Sequence, residues 1–471
     1  MRVKLILPAL TEATSPFWRP IKYSLFPPLG LATLAAYLSP QDEVTLQDEH
    51  VERLDLEDAP DLVVLQVYIT SAYRAYAIAD RYRERGVHVA LGGLHVTALP
   101  GEASRHADTI FLGPGEDTWP RFLQDFRLGR AEKVYVSHTR SLLDAPPVRR
   151  DLIERHRYLV PNSLVVSRGC PHACDFCYKQ AFYAGGRSFY TAAVDAALAE
   201  IERLPGRHLY FLDDHLFGSP RFAANLFDGM RGMHRLWQAA GTVRSVLAPD
   251  LLERAVESGL RSLFVGFESL NQAGVERQHK NHNHQEDYSR AVRRLHDLDV
   301  MVNGSFIFGL DGDTPEVFGR TVEWALEQAI ETATFHILTP YPGTALHTRL
   351  HRQGRITSSN WDRYDTRHAV FSPQGMSALQ LEAGYREAYR AFYRWGAIAR
   401  SAAAAQGWPR RLRHLAYAGG WKKFEALWNV VIRAGQVWRF LPALERVLDT
   451  VPPKAAAAAM SGEDRERRQA A

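Results

Sequence analysis

The sequence predicts an α/β protein built from two parallel-sheet regions and a helical extension. Two observations carry this. Strand-like runs alternate with amphipathic helical stretches as far as about residue 354. Those runs are apolar on both faces, as strands covered on both sides by helices must be. A third observation, helical periodicity after Ser377, sets the last part apart.

The first part, 1–129, opens on "VKLILPA". Its apolar run is short and Pro8 interrupts it, so it reads as a strand rather than a secretory leader. "EVTLQDE", "LVVLQVYI", "HVALGG" and "TIFLGPG" follow as strands, with helices at "LGLATLAAYL" and "SAYRAYAIADRYRERG". This is a Rossmann-like pattern. In such open sheets ligands bind at the carboxyl ends of the strands, where Gly92, Gly93, Gly113 and Gly115 lie. A charged connector containing "DAPPVRRD" spans 130–162. The second part, 163–354, has strand signals at "SLVVSRGC", "HLYFLDD", "GTVRSVL", "SLFVGFES", "VNGSFIFGL" and "TATFHILTP". Six strand-then-helix units make a partial (β/α)6 barrel, short of the eight in a closed one. Residues 355–451 form a helical carboxyl-terminal domain, with "LEAGYREAYRAFYRWGAIAR" as its strongest helix. Its aromatic stripe at Tyr385, Tyr389, Phe392 and Tyr393 is what a packed helix face requires. Residues 452–471 read as a disordered tail.

The net charge of +4 over 471 residues shows no basic stripe, so no nucleic-acid partner is expected. No run approaches ~18 uninterrupted apolar residues, so a membrane span is not expected. The segment "GGWKKFEALWNVVIRAGQVWRFL" is amphipathic and basic, but packing onto the barrel accounts for it more economically than a membrane surface.

All three cysteines of the chain fall in "SRGCPHACDFCYKQ", at Cys170, Cys174 and Cys177. They leave no disulfide framework and fit a reducing cytoplasm. Three thiolates on one loop can wrap one face of a [4Fe–4S] cluster, which proteins usually hold with four cysteines. One iron then lacks a protein ligand, and an open metal position is where a cofactor or substrate binds. The competing reading is structural zinc. It needs a fourth ligand, for which His172 is the nearest nominee.

The C-x3-C-x2-C spacing, with aromatic Phe176 before the last cysteine, resembles the radical S-adenosylmethionine (SAM) superfamily. The resemblance implies that SAM chelates the unique iron through its amino and carboxylate groups and is cleaved to the 5′-deoxyadenosyl radical. It also implies an electron donor such as flavodoxin or ferredoxin. By the same resemblance, Asp213 and Asp214 after the second barrel strand face the SAM ammonium, which carboxylates suit, although Asp214 also fits a helix cap. Arg244 on the third strand pairs with the SAM carboxylate. Glu268 and Ser269 after the fourth meet the ribose. Gly304, Ile307 and Gly309 of "GSFIFGLDGDT" lie near adenine, with Phe176 as an apolar contact for the base.

"FPPLGLATLAAYL", "LGGLHVTALPGEA" and "FLGPGEDTWP" resemble the cobalamin-binding domains that precede the radical SAM barrel in one large subgroup. The resemblance implies cobalamin here. Gly92 and Gly93 let a bulky nucleotide tail approach the backbone, with Gly113 and Gly115 at the next strand end. Thr70 and Ser71 offer small polar groups beneath the corrin, and Tyr68 and Arg74 stand near its lower face. Asp48-x-His50 begins the D-x-H-x-x-G cobalt-ligating motif, but Arg53 replaces its glycine and the stretch follows the second strand, so His50 reads as a loop histidine. A flavodoxin-like module without cobalamin is the competing reading.

"GTALHTRLHRQGRI" and "WDRYDTRHAVFSP" resemble the extension after the barrel in the hopanoid-methylase-like group. This extension is expected to cap the barrel mouth and shape the pocket for a small-molecule substrate, with His336 as a substrate contact. The reading that follows is a cytoplasmic, cobalamin-dependent radical SAM enzyme that methylates an unactivated carbon of a small molecule or natural product. Its rivals are a non-methylating ring-forming, rearranging or oxidative enzyme with the same cofactors, and a non-catalytic iron–sulfur or cobalamin sensor.

Overall fold

The computed structural model describes residues 1–10, 25–139, 141–143, 145–280 and 284–423, with isolated positions beyond. The tail expected at 452–471, and most of the helical reading after 423, lie outside the described residues.

Six parallel strands form the first sheet: β1 (Arg2–Leu7), β2 (Glu43–Asp48), β3 (Leu62–Gln66), β4 (His88–Gly92), β5 (Thr109–Leu112) and β6 (Val134–Val136). Their order is β2-β1-β3-β4-β5-β6. The helix Ala72–Glu84 covers one face with Ala75, Tyr76, Ile78, Ala79 and Tyr82. Leu31, Ala35, Trp119 and Phe122 cover the other. Burial on both faces is why β3 reads as an unbroken apolar run. Strand β6 lies past the expected boundary at 129, so that boundary falls one strand short of the sheet's edge. Only Tyr135 of its three residues is buried, stacked on Phe111 at 5.5 Å. So short an edge strand leaves no periodic signal.

Strand β7 (Ser163–Leu164) opens the second sheet. Strands β8 (Ser167–Gly169) and β9 (Phe189–Thr191) pair antiparallel with each other. Strands β10 (His208–Phe211), β11 (Leu236–Gly241), β12 (Leu260–Glu268), β13 (Met301–Phe308) and β14 (Thr332–Ile337) complete an all-parallel, open, six-stranded sheet in the order β7-β10-β11-β12-β13-β14. Two local expectations change. The run "SLVVSRGC" is two strands, because the Asp213 carboxylate takes the backbone N–H of Val166, at 3.1 Å, and that of Ser167. The third strand is "LWQAAG", not "GTVRSVL". Val243 and Val246 are buried at i, i+3 spacing on a short helix, Val243–Leu247, that Thr242 caps through Ser245 N–H at 3.1 Å.

The helix Ala378–Phe392 closes the open edge of the second sheet. The Tyr393 hydroxyl accepts from Ala333 N–H (3.0 Å) and donates to Ala333 C=O (2.8 Å). The Tyr389 hydroxyl does the same at Phe335, at 3.1 and 3.2 Å. The aromatic stripe thus satisfies edge groups of β14 that would otherwise invite pairing with another strand.

His208 begins β10 buried, 2.7 Å from Gln238 Nε2. Burial pushes its imidazole down to about 4. The ring stays neutral in the folded chain at pH values where it protonates once unfolded, so stability is full above pH 6.5 and declines as pH falls towards 4. Urea midpoints measured at pH 7 and pH 5 should show that decline in the parent protein, and a shallower one in His208→Asn.

Candidate active site and cofactor cavities

The cysteine loop follows β8 and is fastened at both ends. Gly169 has φ +79°, and a Cβ there would sit 1.9 Å from Ser188 O, so only glycine fits. Its N–H donates to Asp214 Oδ2 at 2.9 Å, and Cys170 N–H donates to Ser188 O at 2.9 Å. At the far side Asp175 is the anchor. Its N–H donates to Gln278 O (3.0 Å), its carboxylate accepts from Arg349 (2.7 Å) and lies 2.9 Å from His279 Nδ1. The three thiols are free of disulfides. Burial raises all three, Cys174 up to about 12; Cys177 raises Cys170 further, and Cys170 and Cys177 raise Cys174. Lys280 is the strongest opposing charge on Cys174, and Lys179 on Cys177. Metal binding must therefore displace the thiol protons, which an iron–sulfur cluster does. Among the described residues no set of three or more His, Cys, Asp or Glu side chains closes on a single ion. A cubane instead asks for one sulfur on each of three irons.

The structure sorts the residues expected around this loop. Asp213 is spent on Val166 N–H, Ser167 N–H and the Ser167 hydroxyl (2.6 Å), and burial raises its carboxyl to about 7. It holds the strand before the loop. Asp214 bonds Gly169 N–H, is ion-paired with Lys179, and is close enough to raise the Cys170 and Cys177 thiols. Arg244 lies on the helix just past β11 rather than on a strand, close enough to lower the His172 pKa. Glu268 is ion-paired with Lys280 in the interior and has φ +67°. Ser269 accepts from Asn271 N–H at 3.1 Å, a turn role. Gly304 turns its missing Cβ towards Phe306 and Ile330, whereas Ile307 alternates to the other face of β13. Gly309 has φ +96°, and Asp313 accepts its N–H at 3.0 Å.

Lys280 gave no sequence signal. It is one lysine in "ERQHKNH", with no spacing to mark it. The fold buries it against Glu268 and sets its Nζ 5.9 Å from the Phe176 ring centroid.

A cavity of about 590 Å³ lies where the carboxyl ends of the two sheets face each other. The first sheet contributes Leu7, His50, Gln66, Tyr68 and Thr70; the second contributes Val165, Leu212 and Tyr341. Tyr178 comes from just past Cys177, and Tyr364, Asp365 and Thr366 come from the extension. His336 stands behind this wall, with Nδ1 3.2 Å from Thr366 Oγ1. A second cavity, about 240 Å³, shares Gly30, Gln66, Val165 and Leu212 with it and is walled by Gly92, Gly93, Gly113 and Gly115. A Cβ on Gly93 would meet Val67 O at 2.8 Å, and one on Gly113 would meet Ser137 O at 2.6 Å. A wide apolar chamber beside a glycine-walled cleft fits a corrin ring and its nucleotide tail. Thr70 faces the chamber. Ser71 does not: it is fully buried and bonds Tyr68 N–H and C=O, both at 3.3 Å. Arg74 pairs with Glu49, away from the chamber wall. His50 does line the chamber, with Nδ1 2.8 Å from Asp48.

Residues 164–325 match the family model described as the radical SAM superfamily, and residues 23–123 match that of the B12 binding domain. A bacteriochlorophyllide d C-12(1)-methyltransferase of Chlorobaculum tepidum is 30% identical over 386 residues, covering 79% of this chain and 83% of that protein. The chain belongs to the cobalamin-dependent radical SAM methyltransferase family. The hopanoid C-2 methylase of Rhodopseudomonas palustris is 27% identical over 350 residues, covering 71% of this chain and 66% of that one. The fold is shared with TsrM of Kitasatospora setae (TM-score 0.61, 16% identity, 92% and 99% covered) and with OxsB (TM-score 0.66, 15% identity, 90% and 72% covered). As a family member this methyltransferase uses a [4Fe–4S] cluster, SAM and cobalamin.

Two contacts join the cofactor regions of this methyltransferase. Arg168, beside the cysteine loop, is ion-paired with Glu116 of the turn after β5, in the wall of the glycine cleft. Trp361 of the extension donates its indole N–H to Glu102 at 3.1 Å, and Glu102 also bonds His95 of the chamber wall at 3.2 Å. That latch carries Tyr364, Asp365 and Thr366 over the chamber.

Proposed function

We propose that the chain methylates an unactivated carbon of a small, largely apolar molecule held at the end of the chamber lined by Tyr178, Tyr341 and Thr366, with the corrin against Tyr68 and Thr70. One observation carries the reading. The chamber that receives Tyr178 from the cysteine loop is the same one that receives Tyr68 and Thr70 from the cobalamin side. Both cofactors then address one substrate carbon, and proximity supplies much of the rate. When bound, the cluster delivers the electron that opens SAM, and cobalamin delivers the methyl group. The chain's own residues bind, orient and exclude water. Cys170, Cys174 and Cys177 hold three irons. Asp214 meets the SAM ammonium, and Lys280 and Arg244 its carboxylate, with Glu268 holding Lys280 in place. Phe176, Ile307 and the backbone at Gly304 and Gly309 flank the adenine. Asp213 and Ser269 fix the loops that carry these groups. Gly92, Gly93, Gly113 and Gly115 admit the cobalamin tail, and Thr366 with His336 behind it orients the substrate. A reduced flavodoxin or ferredoxin supplies the electron.

The test is anaerobic reconstitution with iron, sulfide and cobalamin, then incubation with SAM, a reductant and candidate ring compounds. Formation of 5′-deoxyadenosine and S-adenosylhomocysteine in step with a methylated product supports the reading. 5′-Deoxyadenosine with an unmethylated product overturns it in favour of ring formation or oxidation. A narrower prediction concerns the cleft. Gly93→Val collides with Val67 O and is strained at φ +116°. It should lose cobalamin, read by the visible spectrum after desalting, while keeping its four irons.

A further inference from the structure

The helix Trp408–His414 is inside out. Trp408, Leu412 and, just beyond the helix, Leu415 stand at i, i+4 and i+7, one stripe on one face. They are 67%, 48% and 38% exposed. The buried face is the polar one. Arg413 and His414 are 4% and 2% exposed, and Arg410 is ion-paired with Asp299. The cause lies beneath. Glu331 precedes β14 and Asp299 precedes β13, and both are buried carboxylates at the amino-terminal end of the second sheet. Both act on Arg413, and Glu331 also acts on His414. This polar anchorage fixes the helix's rotation and points its apolar stripe at solvent. Trp395, 56% exposed, begins the neighbouring helix Trp395–Ala404 that packs on it, and Arg394 and Arg411 are exposed beside the two tryptophans.

We propose that this face docks on an anionic lipid bilayer. The charge supports that occupant. Residues 394–439 hold nine Arg and Lys against a single acidic residue, Glu425, and six of the nine remain once the inward Arg410 and Arg413 and the Glu323-paired Arg400 are set aside, in a chain whose whole net charge is +4. Tryptophan and leucine beside cations is the composition of a helix lying in the headgroup layer, held by apolar burial and attraction to anionic lipids together. No helix among the described residues is long and apolar enough to cross a membrane, so the contact is peripheral. The face lies at the amino-terminal end of the barrel strands, while the chamber opens at the carboxyl ends, so docking leaves the chamber clear. The amphipathic, basic segment weighed in the sequence begins only at Gly419, after this helix, and nothing in the sequence of the helix itself shows which of its faces Glu331 and Asp299 hold down.

The test is sedimentation of the full-length, cluster-loaded protein with vesicles. It should pellet with equimolar phosphatidylcholine and phosphatidylglycerol, less so at high salt, and stay in solution with phosphatidylcholine alone. Trp408→Ser with Leu412→Ser should weaken binding at least about tenfold, since two side chains that enter the interface are lost, with iron content unchanged. Should that variant lose iron, Arg394→Glu with Arg411→Glu provides the same readout from exposed positions. Failure to pellet with the anionic vesicles overturns the proposal, as does undiminished binding by the variants. A concentration-dependent dimer that the serine variant abolishes, without vesicle binding, also overturns it and assigns the face to a second copy of the chain.

Discussion

Cys174→Ala protein, reconstituted without oxygen, should hold far fewer than four irons and release no 5′-deoxyadenosine above background. A loss of about 10^4-fold or more is the scale for removing one member of a group that acts as a unit. The expectation is this large because the loop has no spare ligand: the chain contains three cysteines and no other. Cys174 is the most buried of the three. Burial lifts its thiol to about 12, so its thiolate exists only when a metal takes the proton's place. Alanine leaves one iron bare in an apolar wall and takes away that compensation. Iron and sulfide analysis beside zinc analysis makes the result decisive. A parent protein with one zinc and no sulfide, or a variant that still makes 5′-deoxyadenosine, would remove the basis of the cluster assignment.

The strands and the cysteines were legible because each is a local pattern. Strand β3 is apolar on both faces since helices cover both. The three thiols announce themselves because their spacing is set by one short loop. What failed to show depends on contacts distant in sequence. Asp213 and Asp214 read as a pair facing a cofactor, yet Val166 and Ser167, 47 and 46 positions away, bond Asp213 Oδ1. Ser71 looks like a group for the corrin until the Tyr68 turn buries it. Arg244 reads as a strand residue in "GTVRSVL", yet Val243 and Val246 are buried three apart, the spacing of one helix face. The Thr242 cap decides for helix. Trp361 and Glu102 meet across 259 positions, and nothing at either one forecasts the other.

Lys280→Met should weaken SAM binding about a hundredfold or more, the scale for truncating one member of a buried, hydrogen-bonded charge pair at a binding site. Lys280 is a compact positive charge, 7% exposed, between the Glu268 carboxylate, the Phe176 ring and the Cys174 thiol. A ligand that brings a carboxylate to the vacant iron needs a cation at that place. Glu268 keeps this one in position until the ligand arrives. The single substitution also strands Glu268 without its partner, which by itself costs roughly 3–5 kcal/mol of stability. Weak binding could then reflect a damaged fold. Glu268→Gln with Lys280→Met separates the two effects, because it removes both charges and most of the stranding penalty. If Lys280 serves SAM, the double variant recovers its unfolding midpoint and keeps its four irons, yet SAM still fails to perturb the electron paramagnetic resonance signal of the reduced cluster. Lys280→Arg, which keeps the charge but spreads it over a planar fork, should fall between parent and methionine variant. A double variant that binds SAM as the parent does would make the pair a structural brace, and the SAM carboxylate would then rest on Arg244 alone.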